Sequence, residues 1–411
     1  MHKKNDSQML SLFISDVDDG GAGIACQRVH DELNRQTNNK CGWLVAKKNA
    51  NTWPSFGSLM TYELKRRLLK DECALVRASR AFYGANIANM GQRLNPRVLF
   101  FSNIHQKMSF DVLTAFPQDT PILIYLHDMW YLTGYCCFSM DCEKYVTGCQ
   151  GICPQWGKWE VPTRGADVEW KRRESFYSKN AHRIHLIAPS QWMARCAEQR
   201  FKGSIVVERI ANPVDTSLFR PVGDKRQIRQ MLGFDGDRPL ILCGAVTMKD
   251  QRKGFSYLKG ALDRLRQRLD FPVTVAVFGT GVANGIIPDV VSLGTVRDER
   301  LLNLYYNAAT TFVLPSLAES FGLVYAEAMA AGTPCVAFDS TASGELVQEG
   351  ITGYLATLCD VNSLTDALER AVKAGDDNQL GRNCRTYAVE NFDVHKIGGQ
   401  HLALIEKVLA L

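Results

Sequence analysis

The feature that most constrains this chain is a repeated alternation of short apolar runs with helix-forming stretches. Residues 10–14, 41–46, 97–101, 121–126, 184–188 and 205–210 are apolar runs of strand length. They are apolar nearly throughout rather than alternating with polar residues, which suits strands buried on both faces of a parallel sheet. After a turn at Asn212-Pro213-Val214-Asp215 the pattern restarts, with runs at 240–245, 273–278, 290–294, 311–314, 335–338 and 353–355. Helical stretches at 255–268, 301–308 and 361–375 separate several of them. Two such series predict an α/β protein of two doubly wound, Rossmann-like domains facing across a cleft. At 411 residues the chain is long enough for both cores. The expected division is 1–210 and 211–390, with a terminal helix in 391–411 packing back toward the first domain.

Composition excludes several classes. The chain is 46% hydrophobic and 22% charged, with a net charge of +5. That is too mild for a nucleic-acid footprint, but it permits weak attraction to an anionic surface. The apolar run 9–14 is too short for a signal sequence, and no run of about 18 apolar residues would cross a membrane. An odd count of 13 cysteines scattered along the chain predicts reduced thiols and a cytoplasmic location. Lys65, Arg66, Arg67, Lys70, Arg77 and Arg80 fall in a helical pattern over 59–90, read either as a solvated face or as a surface resting on anionic lipid.

The chemistry is concentrated at 313–334. A buried strand breaks at Pro315-Ser316, and a helix is expected over 323–331, stopped by Gly332 and Pro334. With Ser320 as N-cap, the amides of Phe321, Gly322 and Leu323 are left free at a helix end that attracts phosphate. Glu319 precedes that helix and Glu327 lies within it, so a diphosphate there would have a carboxylate on either side. A second glycine-rich segment, 16–23, follows the first strand, with a helix expected from Ile24. Gly21, Ala22 and Gly23 would let backbone approach a phosphate or sugar, although the spacing is not G-x-G-x-x-G. His105 and His127 close two strands, where parallel sheets place ligands, and Gly279 closes another.

Glu319 and Glu327 bracketing Ser320-Phe321-Gly322, with Arg252-Lys253-Gly254 upstream, resemble glycosyltransferase family 4, the large retaining family of GT-B fold. The resemblance extends to Gly20-Gly21-Ala22-Gly23, to Asn212-Pro213-Val214-Asp215 and to Gly350-Ile351-Thr352-Gly353. His127-Asp128-Met129-Trp130 and the cysteine-rich insert after it, at about 134–156, look like the bacterial branch that builds exopolysaccharide, O-antigen and colanic acid. The resemblance implies that Glu319 meets the donor sugar, Glu327 the ribose, and Lys253 the diphosphate, helped by Arg252 and by the backbone of Ser320, Phe321, Gly322 and Leu323. His127 would position the sugars or handle a proton. It implies a UDP- or GDP-linked donor, a glycan or lipid-linked acceptor, no cofactor for catalysis and contact with the inner face of the membrane. Where the family often carries arginine this chain has Thr247, so Arg252 or Lys249 would supply the second cation. No carboxylate is placed to attack the anomeric carbon, which fits the family's front-face chemistry better than a double displacement. A nucleotide-sugar epimerase or phosphorylase of the same fold is the alternative, and a zinc-containing binding module a more remote one.

Five cysteines crowd into residues 136–153. In a reducing compartment they suggest a structural zinc held by Cys136, Cys142, Cys149 and Cys153. Cys137, where related sequences carry histidine, is the spare.

Overall fold

A computed structural model describes residues 9–16, 20–45, 85–105, 108–154, 165–281 and 289–410. The basic stretch from Lys65 to Arg80 lies outside the described residues. By internal contacts the chain divides into two units, 1–210 with 398–411, and 211–397.

The first unit holds a six-stranded, all-parallel sheet in the order β2-β1-β3-β4-β5-β6. Its strands are β1 (Ser11–Ser15), β2 (Cys41–Val45), β3 (Val98–Phe101), β4 (Ile122–Tyr125), β5 (Ile184–Ala188) and β6 (Val206–Arg209). Strands β1, β3, β4 and β5 are buried along their whole length, which is why they read as unbroken apolar runs. The helices Ala166–Asn180 and Gln191–Phe201 were not foreseen. The former is rich in charge and carries its buried side chains sparsely, so it lacks a broad apolar stripe.

The second unit repeats the design in the order β12-β11-β10-β7-β8-β9, again all parallel. It comprises β7 (Leu240–Thr247), β8 (Thr274–Thr280), β9 (Val291–Gly294), β10 (Thr311–Val313), β11 (Cys335–Phe338) and β12 (Gly353–Ala356). The chain runs outward from β7 through β8 and β9, then returns to β7 to start β10. Strand order therefore reverses between β7 and β10, where a doubly wound sheet opens a crevice beyond its carboxyl ends. The equivalent reversal in the first sheet falls between β1 and β3.

One local expectation is corrected. Residues 20–23 are not a loop before a helix starting at Ile24; the helix is Gly20–Thr37, with Gly21, Ala22 and Gly23 in its first turn. Glycine weakens a helix interior, but at the N-terminus the amides have no intrahelical partner in any case. The terminal helix runs over Val394–Ala410, inside the stretch expected for it. Its later residues pack in the first unit, where buried His401 meets the rings of Phe100 and Tyr125.

Candidate functional site

The carboxyl end of β7 leads through a single-turn 3-10 helix, Gln251–Lys253, into the helix Phe255–Arg268. Asp250 caps that turn by accepting from the Arg252 amide. At Gly254 the chain turns with φ +68°, and a Cβ there would lie 1.9 Å from the carbonyl oxygen of Pro315. Only glycine admits this approach, which presses the Arg252–Lys253 turn against the loop after β10. The two segments are also joined by backbone, since the Leu317 amide donates to the Arg252 carbonyl at 2.7 Å.

The contact brings together groups 66 residues apart. Lys253 Nζ donates to Glu319 Oε1 at 2.5 Å, and the Ser316 hydroxyl donates to the same oxygen at 2.7 Å. Arg252 Nη1 lies 3.5 Å from Glu319 Oε2 and donates to the Ala318 carbonyl at 2.7 Å. The Glu319 amide donates to Thr341 Oγ1 at 2.8 Å, fixing the carboxylate from behind. Glu319 is buried at 6% exposure. Burial alone would raise its pKa, but Lys253, Arg252 and the hydroxyl of Ser316 outweigh it and hold the carboxyl below its ordinary value. Burial lowers the pKa of Lys253, with Glu319 opposing. The cation is thus poised beside a crevice but already paired with the neighbouring carboxylate.

The next helix is Leu323–Ala330, and its cap corrects the expectation for Ser320. Gly322, at φ +94°, is the N-cap and no side chain caps the end. A Cβ on Gly322 would lie 2.6 Å from the Tyr325 ring, so the left-handed turn and the ring together require glycine. The amides of Leu323 and Val324 find no hydrogen-bond partner among the described residues. The cap lies two residues beyond the one expected, and the amides of Phe321 and Gly322 likewise find no hydrogen-bond partner among the described residues. Phe321 turns inward and packs edge-on against Phe392, while Ser320 is half-buried. Glu327 is buried at 4% exposure rather than on the helix surface. Gly279, at φ +122°, is the penultimate residue of β8 and lies beside the Ala245 carbonyl. Thr247, expected to leave the second cation to Arg252 or Lys249, pairs with Thr280 at the end of β7 and β8.

In the first unit, His127 follows β4. It is 8% exposed, and both ring nitrogens are without a hydrogen-bond partner among the described residues. Burial lowers its pKa to about 3, so the ring is neutral at physiological pH. Beside it stands a cluster that sequence reasoning found only in part: His105 Nδ1 lies 3.7 Å from Asp128 Oδ2, and Cys137 Sγ lies 3.6 Å from His105 Nε2. The signal available was His105 after β3; its contact with Cys137 joins the loop after β3 to the loop after β4, 32 residues apart.

Comparisons with known proteins bear on the chain around these residues. Residues 238–374, which hold Arg252, Lys253, Gly279, Glu319 and Glu327, match the family model for glycosyl transferases group 1. The MMP alpha-(1->4)-mannosyltransferase of Mycolicibacterium hassiacum is 33% identical over 207 residues, 48% of this chain and 47% of that protein. A putative colanic acid biosynthesis glycosyl transferase of Escherichia coli is 26% identical over 233 residues, 56% of this chain and 55% of that protein. The chain thus spans about half the length of the curated relatives it matches. Among solved structures, that of the Anabaena protein HepE with UDP-glucose superposes with a TM-score of 0.68 at 17% identity, covering 97% of this chain and all of that one. The chain is therefore similar to group 1 glycosyl transferases across residues 238–374, and its fold is the α/β two-domain GT-B architecture.

Proposed function

We propose that this protein is a retaining glycosyltransferase that moves a sugar from a nucleoside-diphosphate sugar to a glycan or lipid-linked oligosaccharide in bacterial surface polysaccharide synthesis. The observation that carries the reading is the meeting of Lys253, Arg252 and Glu319 beside an uncapped helix end, at the strand-order reversal of the second sheet. The diphosphate takes the amides of Leu323 and Val324 and the ammonium of Lys253, which exchanges its Glu319 partner for a phosphate oxygen. Released from that pair, Glu319 accepts a hydroxyl of the donor sugar, and Glu327 accepts the ribose hydroxyls.

In the transfer step the bond between the anomeric carbon and the phosphate oxygen breaks, and its electron pair stays on the departing diphosphate. The acceptor hydroxyl bonds to the same face of the anomeric carbon and gives its proton to the leaving phosphate oxygen, so configuration is retained. Fixed cations and helix amides stabilise the charge that develops on the diphosphate. A divalent ion is then not needed for the chemistry. His127, neutral and with unused ring nitrogens, positions a sugar hydroxyl by hydrogen bonding rather than acting as an acid. The acceptor class rests on the likeness to the colanic acid and lipopolysaccharide proteins. The net charge supports work at the inner face of an anionic membrane.

The test is a panel of UDP- and GDP-linked sugars scored by thermal stabilisation and by transfer to lipid-linked acceptors. A bound donor stabilises the folded chain by mass action. One class of donor should raise the melting temperature, and Glu319→Ala should abolish transfer while leaving part of that shift. Stabilisation by no nucleotide sugar, or transfer that survives Glu319→Ala, would overturn the assignment. Transfer that depends on added Mg2+ or Mn2+ would overturn the metal-free step alone.

A further inference from the structure

The structure sorts the five crowded cysteines into two groups. Cys137 turns its sulfur to His105, 3.6 Å from Nε2. Cys136, Cys142, Cys149 and Cys153 instead line one pocket, together with Ser139 and Tyr145. We propose that this pocket is a structural zinc site in which the four thiolates of Cys136, Cys142, Cys149 and Cys153 hold one Zn2+.

Three observations carry the assignment. The segment from Leu126 to Pro154 contains a single one-turn helix, Lys144–Thr147, as its only regular element. A stretch of that length with so few ladder bonds needs another source of order, and a closed four-sulfur site is an established one for zinc. Next, the environment suits the charge of such a centre. Four thiolates around Zn2+ leave two negative charges, and both the guanidinium of Arg173 and the ammonium of Lys144 stand close by, the one acting on Cys149 and the other lining the pocket. Finally, the four thiols line a single pocket despite irregular spacing in sequence.

The pocket is more open than a loaded site. The ligand atoms of His105, Asp128 and Cys137 all lie within 4.8 Å of one another, whereas the four pocket sulfurs are not drawn to that limit. Binding would bring them to about 3.8 Å apart, the edge of a tetrahedron with Zn–S bonds of ~2.3 Å, and release the four thiol protons to solvent. The closed site would brace the segment that carries His127, because the Met129 amide donates to the Cys137 carbonyl at 2.7 Å.

The test uses the full chain. Purified without chelator, it should contain one zinc per chain, and Co2+ exchanged into it should show the visible absorption of a tetrahedral thiolate site. Cys142→His, which keeps a zinc ligand, should retain the metal, and Cys137→Ser should retain it as well. Cys149→Ser should lose it and expose the remaining thiols to alkylation. Should that variant fail to fold, zinc titration of the chelated wild-type chain against a chromophoric competitor reads the same stoichiometry. Metal-free protein that takes up no zinc, disulfides among the four cysteines, or loss of the ion in Cys137→Ser would each overturn the proposal. The last of these would move the site to His105, Asp128 and Cys137.

Discussion

At the scale of single residues, Lys253 and Glu319 decide most. Each is buried enough that removing one partner strands the other, a loss on the order of 3 kcal/mol for a fully buried pair. The ammonium keeps 17% of its side-chain exposure, so screening reduces that figure. Lys253→Ala should therefore lower the melting temperature and cut kcat for transfer by about 100-fold or more, the cost of losing one charge-stabilising donor. The double variant Lys253→Met with Glu319→Leu separates the effects. It should recover most of the stability, since an apolar pair of similar volume replaces the ion pair, yet show no transfer. Thermal melts beside initial rates check this, and a double variant that still transfers sugar would remove both residues from the site. The family resemblance singled out both residues but did not say that they pair. The ion pair depends on the approach of Gly254 to Pro315, a tertiary contact that no local pattern encodes.

At the scale of elements, the turns matter more than the helices they start. The helix Phe255–Arg268 and strand β11 were legible to the residue, because their apolar periodicity and their flanking signals agree. The cap of Leu323–Ala330 was not. Ser320 is the better capping residue by type, yet Gly322 takes the position because the Phe321 side chain is buried against Phe392 and the chain must reverse there. The helix Ala166–Asn180 escaped for the opposite reason, since buried Arg173 stands where an apolar residue would have been expected. Its guanidinium donates to the Thr133 carbonyl at 2.8 Å and lies over the Trp130 ring. A prediction follows for the turn beside β7. Gly254→Ala puts a methyl into the Pro315 carbonyl, and because that atom is backbone the turn must shift. The strained φ costs about 1 kcal/mol, a small loss for the fold. Displacing Lys253 should cost far more in function, with the donor KM raised about tenfold or more while the far-UV circular dichroism stays that of the parent. An unchanged KM would mean that the turn does not set the position of Lys253.

At the scale of the molecule, two parallel sheets with a strand-order reversal in each were visible as two runs of buried strands, and strand length and apolarity carry that information without any homologue. The expected return of the terminal helix to the first domain did not say which side chains it buries there, and His401 is the clearest case. It sits in the terminal helix, wholly buried, with both ring nitrogens unpartnered among the described residues. Burial lowers its pKa, like that of His127, to about 3. In the unfolded chain both titrate near their ordinary value of about 6.5. Between these limits the unfolded state binds more protons than the folded one. The stability each neutral ring confers is therefore fully present above about pH 6.5 and is lost as pH falls toward 3. The slope is on the order of 1 kcal/mol per pH unit for each histidine. Because both belong to the first unit, that unit should be the one that loosens first in mild acid. His401→Phe keeps an aromatic ring against Phe100 and Tyr125 and removes two buried nitrogens that lack partners. It should leave stability at neutral pH unchanged or higher and flatten the fall between pH 6 and pH 4, as read by urea midpoints across that range. If the variant's midpoints fall as steeply as those of the parent, protonation of His401 is not what limits the acid stability of this unit.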